Sequence, residues 1–124
     1  MNRKIETEKA PKAIGPYSQG WICNGFIFTS GQLPLDPVTA EIPQGIAAQT
    51  HQCCKNVKEV LASAGCEMEQ VMKTTCFIAS MDDFAAFNEV YAEYFTGNPS
   101  RSCVAVKTLP KNALCEIEAI AVAQ

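Results

Sequence analysis

The segment Cys-Glu-Ile-Glu-Ala-Ile-Ala-Val, from Cys115 to Val122, constrains the fold most. Its side chains alternate with period two, which predicts a β-strand with two different faces. Cys115, Ile117, Ala119 and Ala121 form one face, small and apolar, suited to helices packing closely on it. Leu114, Glu116, Glu118, Ile120 and Val122 form the other. Two carboxylates on a strand otherwise apolar enough to be central need a partner or a job. Arg101 is the cation expected to serve them, because Arg101-Ser-Cys-Val-Ala-Val upstream also reads as a strand. Leu109-Pro110-Lys111-Asn112 lies between the two and is turn chemistry. A turn centred near Pro110 pairs position 105 roughly with 116. It sets Arg101 about four residues, ~13 Å, along the ladder from Glu116. A structural ion pair or a solvated sheet face is the plain alternative to a functional site. A small ligand bridging the two groups, or a pocket shared between chains, would also fit that spacing.

The rest of the chain supplies a sheet and two helices. Ile5 and its neighbours predict a short edge strand. Ala10–Pro16, with two prolines and a glycine, is a loop that delivers Tyr17 and Ser18. Gln19–Cys23 and Phe26–Ser30 are β-rich runs separated by Asn24-Gly25, the strongest short-range hairpin signal. Gly31 and Pro34 follow; the glycine permits close approach and the proline ends the ladder. Apolar residues at spacings of three and four predict a helix over Ile46–Ala64, stopped by Gly65. His51 falls on its polar side with Lys55 and Lys58 and reads as a solvated surface residue. Met72–Ala79 is a strand by its β-branched and aromatic content. Ser80 reads as a cap, with Asp83 reaching back to it. A second helix then runs to about Phe95, burying Phe84, Phe87, Val90, Tyr91 and Tyr94, with Asn88 one position past that stripe.

The expectation is one α+β domain over residues 1–124, with a mixed five- to six-stranded sheet. Two helices cover only one face of such a sheet. The face with Glu116 and Glu118 must therefore meet water or another subunit, and its interleaved apolar residues favour a subunit.

Charge and cysteine usage narrow the function. A formal net charge of −3, with no Lys/Arg cluster above two neighbours, argues against binding a phosphate backbone. No apolar run approaches membrane-spanning length, and no apolar segment follows the basic start, so no signal peptide is read. Seven cysteines, an odd number with no Cys-x-x-Cys, read as free thiols of a reducing cytoplasm. A single histidine leaves no basis for a His-rich metal centre. No cofactor or metal is expected, and no phosphate-cradling glycine motif or nucleophile elbow is present. The groups left are Arg101, one or two carboxylates, the hydroxyls of Tyr17 and Ser30, and Gly31 beside the serine. An arginine fork binds both oxygens of a small carboxylate. A partly buried glutamate can orient or deprotonate water. Together they suggest carboxylate capture plus attack by water.

The sequence resembles the RidA (YjgF) family along essentially its whole length. The resemblance rests on Gly15-Pro16-Tyr17-Ser18-Gln19, Phe28-Thr29-Ser30-Gly31-Gln32 and Asn88-Glu89-Val90-Tyr91. It also rests on Pro99-Ser100-Arg101-Ser102-Cys103, and on Leu109-Pro110-Lys111 followed by Glu116-Ile117-Glu118-Ala119. It implies a chorismate-mutase-like fold with sheets facing inward in a homotrimer, clefts between subunits, and cofactor-free 2-iminobutanoate/2-iminopropanoate deaminase activity. Carried over by motif, Arg101 would grip the imino-acid carboxylate and Glu116 would activate water. Tyr17, Ser30, Gly31, Asn88 and Cys103 would line the pocket. The chain departs from the family pattern at Gly20 and Ala40, where the family often has alanine and glycine, and at Cys115, where valine is usual. A metabolite-binding or regulatory role without catalysis, and the endoribonuclease activity also attached to the family, are the rival readings.

Overall fold

In a computed structural model, residues 2–123 are described. The strands are β1 (Arg3–Ile5), β2 (Gly20–Cys23), β3 (Phe26–Thr29), β4 (Val71–Ile78), β5 (Ser100–Ala105) and β6 (Cys115–Val122). The helices are α1 (Ile46–Ser63) and α2 (Phe84–Tyr94). All six strands join one sheet in the order β1-β2-β3-β6-β4-β5. Its pairings are antiparallel except β4 with β5, which is parallel. The sheet is therefore mixed, as expected.

Local chemistry accounts for most element boundaries. Asn24 and Gly25 both hold positive φ, 51° and 82°, the pattern of a type I′ hairpin turn between β2 and β3. Helix α1 ends where Gly65 takes φ 73° and the Gly65 and Cys66 N–H groups return to the carbonyls of Ala62 and Leu61. That is a Schellman stop, satisfying carbonyls that would otherwise be orphaned. At the start of α2, Ser80 Oγ accepts from Asp82 N–H. Asp83 does not reach back as expected; its own N–H donates to the Ser80 carbonyl. A single turn of 3-10 helix, Met81–Asp83, intervenes before α2.

Strand β6 is central, between β3 and β4. Its small face is buried as predicted, with Cys115, Ile117 and Ala121 at 0% exposure and Ala119 at 2%. Helix α1 packs on that face and α2 packs against α1, so both helices lie on one side. His51 is not simply solvated. It is half-buried, and its Nδ1 lies 3.0 Å from the Tyr94 hydroxyl, tying α1 to α2.

The pairing of β5 overturns the expected hairpin. Position 105 pairs with Ile78 of β4, not with Glu116, and Glu116 pairs with Phe77. The 106–114 link crosses the end of β4: Val106 N–H donates to the Ile78 carbonyl and Ala79 N–H to the Leu114 carbonyl. Strand, helix α2 and strand thus form a parallel β-α-β unit, and β6 lands on the far side of β4.

Candidate active site

Ladder register decides which candidate residues can meet. Arg101 sits beside Thr74 and Cys103 beside Cys76, and both neighbours are fully buried on the helix side. Glu116 sits beside Phe77, one residue out of phase with Cys76, and so projects from the opposite face. Across two strand spacings and three residues the Cα separation is roughly 14 Å. Arg101 is therefore not the ion-pair partner of Glu116 within one chain. The candidate residues fall into two groups.

The first group surrounds Glu116. Gly31 follows β3 and lies under the carboxylate: a Cβ at position 31 would come within 2.8 Å of Glu116 Cδ. A side chain there would displace the carboxylate. The Gln32 and Ile117 backbones exchange hydrogen bonds in both directions, which fixes Gly31 against β6. Ser30 donates its hydroxyl proton to the Ser18 carbonyl at 2.5 Å, so its oxygen is left to accept from a ligand. The Gln19 side chain, 5% exposed, clamps the preceding loop. It accepts from Thr7 N–H and donates to the carbonyls of Thr7, Ala10 and Pro11. That loop leads to Tyr17, which is 56% exposed. Tyr17, Ser18, Trp21, Phe28 and Ser30 line a hollow of about 280 Å³. A larger hollow of about 940 Å³ beside the N-terminal loop shares Tyr17, and none of Gly31, Asn88, Arg101, Cys103 or Glu116 lines either hollow. Burial raises the pKa of Glu116 above the ordinary carboxylate value, and the charge of Glu118 raises it further. A carboxylate so placed is a better base than an exposed one.

The second group surrounds Arg101. Its Nη1 donates to Asn88 Oδ1 at 2.6 Å. The guanidinium carbon lies 4.8 Å from the Tyr91 ring centroid and 5.5 Å from that of Phe84, within cation–π range. Tyr91 is held in turn by a 2.6 Å hydrogen bond between its hydroxyl and that of Thr74. Burial pushes the Tyr91 phenol up to about 12, so it stays neutral. Asn88 occupies one donor nitrogen and the rings fix the guanidinium plane, which leaves the rest of the fork for a carboxylate. Cys103 lies two residues along β5 on the same side; burial raises its thiol pKa, against the pull of Arg101.

Sequence reasoning assigned Phe84 and Tyr91 to the core and missed their contact with Arg101. The signal was present. Phe84, Asn88 and Tyr91 are spaced four and three apart, so one stripe of α2 aims all three at the same place. Among the described residues no group of three His, Cys, Asp or Glu is arranged to hold a metal ion. No helix is long and apolar enough to cross a membrane among the described residues.

Comparisons with known proteins agree with this architecture. A family model described as Endoribonuclease L-PSP matches residues 7–123. The chain is 47% identical over 126 residues to the 2-iminobutanoate/2-iminopropanoate deaminase of Escherichia coli, covering 98% of each. The structure of E. coli TdcF with bound serine superposes with a TM-score of 0.95 at 45% identity, covering 98% of this chain and 99% of that one. The E. coli YjgF gene product superposes with a TM-score of 0.94, also at 45% identity and with the same coverage. On full-length sequence similarity and shared fold alike, the chain belongs to the endoribonuclease L-PSP family, the YjgF/RidA group.

Proposed function

We propose that this protein is a cofactor-free hydrolytic deaminase of small, reactive 2-imino acids, producing 2-keto acids and ammonia. The observation that carries the reading is the 47% identity, over 98% of both chains, to the E. coli 2-iminobutanoate/2-iminopropanoate deaminase. The two groups of side chains described above supply what such chemistry needs. The Arg101 fork binds the substrate carboxylate and aligns the C=N carbon. Glu116 takes a proton from a water molecule as the water oxygen bonds to that carbon and the C=N electron pair moves to nitrogen. The resulting carbinolamine receives the proton on nitrogen. Glu116 then takes the hydroxyl proton and passes it to nitrogen; the oxygen lone pair forms the C=O bond as the C–N bond breaks, releasing ammonia and leaving the 2-keto acid. Tyr17, Ser30, Gly31, Asn88 and Cys103 shape and polarise the pocket. Such imines already hydrolyse slowly in water, so positioning and one tuned base suffice for a useful acceleration.

The working form is a homotrimer with its sheets facing inward. Arg101 and Glu116 point away from each other within one chain, so a pocket containing both needs a second copy. The face bearing Glu116 also leaves Trp21, Phe28 and Val104 between 41% and 46% exposed. Apolar area of that kind is stable when covered by another copy. Residence in the cytoplasm fits seven cysteines without a disulfide among them. The family description carries an endoribonuclease label, but neither group of side chains offers the concentrated positive charge that holds a phosphate backbone.

The test is to feed threonine to a pyridoxal-phosphate dehydratase with and without this protein and to follow the imine. Faster imine decay in proportion to added protein supports the reading. An unchanged decay, with metabolite binding intact, would leave a binding or regulatory role in its place.

A further inference from the structure

Cys53 and Cys115 form a pair that the chemistry above does not use. Their sulfurs are 3.5 Å apart, and the Cys53 thiol is also 3.5 Å from the Cys115 carbonyl. Both side chains are 0% exposed. Cys53 comes from α1 and Cys115 from β6, so the pair spans the interface between helix layer and sheet. Thr50, one turn before Cys53, places its hydroxyl 3.8 Å from the Cys115 sulfur. The neighbours of Cys115 on the same strand face are Ile117, Ala119 and Ala121, so an aliphatic residue would satisfy the packing. A thiol adds something an aliphatic residue lacks, a sulfur already touching another sulfur.

The hydrogen bond shared with Cys53 favours ionisation of Cys115 and burial opposes it; the Thr50 hydroxyl donates to the Ile46 carbonyl at 2.7 Å, so its proton is not spent on the Cys115 sulfur. Burial pushes Cys53 well above its ordinary value. Either sulfur can ionise and attack, and the steps are the same with Cys115 as the attacking sulfur or with the two exchanged. A disulfide needs the sulfurs at about 2.05 Å, a closure of roughly 1.5 Å.

We propose that Cys53 and Cys115 are a redox-active dithiol that closes to a disulfide with a small peroxide as oxidant. In the first step the Cys115 thiolate attacks a peroxide oxygen. The S–O bond forms, the O–O bond breaks, and the departing hydroxide takes a proton to become water. In the second step the Cys53 sulfur attacks the Cys115 sulfur. The S–S bond forms, the S–O bond breaks, and the second water leaves with the Cys53 proton. Two electrons pass from the thiols to the peroxide, so two thiols and one hydrogen peroxide give one disulfide and two waters. Full burial restricts the oxidant to a molecule near the size of water, which hydrogen peroxide is. The bridge would join residues 62 apart in sequence and tie α1 to the residue preceding Glu116. This site does not depend on the imine chemistry and stands or falls by itself.

The experiment treats the folded, full-length protein with hydrogen peroxide, alkylates it in denaturant, digests it without reduction and maps the peptides by mass. The expected product is a joined pair of peptides containing Cys53 and Cys115. Its mass is two hydrogens below the sum of the free peptides, and added reductant separates it. Cys115→Val and Cys53→Ala should each abolish it. The wild-type map decides the matter even if a variant fails to fold. The proposal is overturned if both cysteines are recovered as alkylated thiols while the half-exposed Cys23 or Cys103 has gained oxygen. Oxygen added to Cys53 or Cys115 without a link, or a link joining a different pair, overturns it equally.

Discussion

Arg101 and Glu116 project from opposite faces of one sheet, with β4 between the strands that carry them. Any pocket that uses both must draw them from different copies of the chain. For the homotrimer proposed above, light scattering should give about three times 13.4 kDa. A sharper check mixes Arg101→Ala and Glu116→Gln chains by unfolding and refolding them together. Neither variant alone should hydrolyse imines, whereas random trimers leave about one site in four intact. Recovery of about a quarter of wild-type activity is expected, and no recovery would place both groups in the same chain.

In the proposed mechanism the clamp on Arg101 sets the quality of carboxylate binding. Asn88→Ala removes the 2.6 Å bond and frees the guanidinium to turn. The loss should be about 1–2 kcal/mol, roughly 5- to 30-fold in kcat/KM, with most of it in KM. Steady-state kinetics over a range of imine supply checks this.

Glu116 is held with its pKa raised, by burial first and then by Glu118. Its folded form binds a proton more tightly than its unfolded form. The contribution to stability is therefore most favourable below the ordinary glutamate pKa and declines as pH rises through the raised value. Glutamine has no proton to lose. Glu116→Gln should melt at a higher temperature than wild type at neutral pH, and the gain should shrink towards zero in acid. Melting curves at neutral and acidic pH test the sign.

Ala40 holds φ 62° in the loop after β3. The left-handed conformation costs an L-residue about 1–2 kcal/mol, and the extra unfolded-state freedom of glycine offsets about 0.5–1 of that. Ala40→Gly should raise stability by roughly 0.5–1 kcal/mol, visible as a melting shift of a few degrees without change in activity.

Much of this architecture was legible in the sequence because pattern reports faces. The period-two alternation of β6 gave its buried side residue by residue, and Asn24-Gly25 gave the hairpin. Pattern does not report neighbours. Pro110-Lys111-Asn112 reads locally as a hairpin turn, yet Leu109 and Ala113 are buried and the link carries the chain across the end of β4. The order strand, helix, strand over Val71–Ala105 is itself a signal for parallel pairing, and it outweighs the local turn. The same limit applied at the site. Motifs named Arg101 and Glu116, but only the register showed that they face apart. Tyr91 reads as core because a buried aromatic and a cation-binding aromatic leave the same mark on a helical stripe.

The account rests on Arg101 gripping a carboxylate through two parallel hydrogen bonds while Glu116 activates water. The most direct test measures imine half-life together with binding of a non-reactive 2-keto acid, in wild type, Arg101→Lys, Arg101→Ala and Glu116→Gln. Losing the charge-assisted pair should cost about 2–4 kcal/mol of transition-state stabilisation, roughly 30- to 1000-fold in rate. Both arginine variants should lose hydrolysis and keto-acid binding while remaining folded, because an ammonium lacks the planar fork. Glu116→Gln should lose hydrolysis and keep keto-acid binding. Wild-type hydrolysis and ligand affinity in Arg101→Ala would contradict the account and reduce Arg101 to a structural contact of α2.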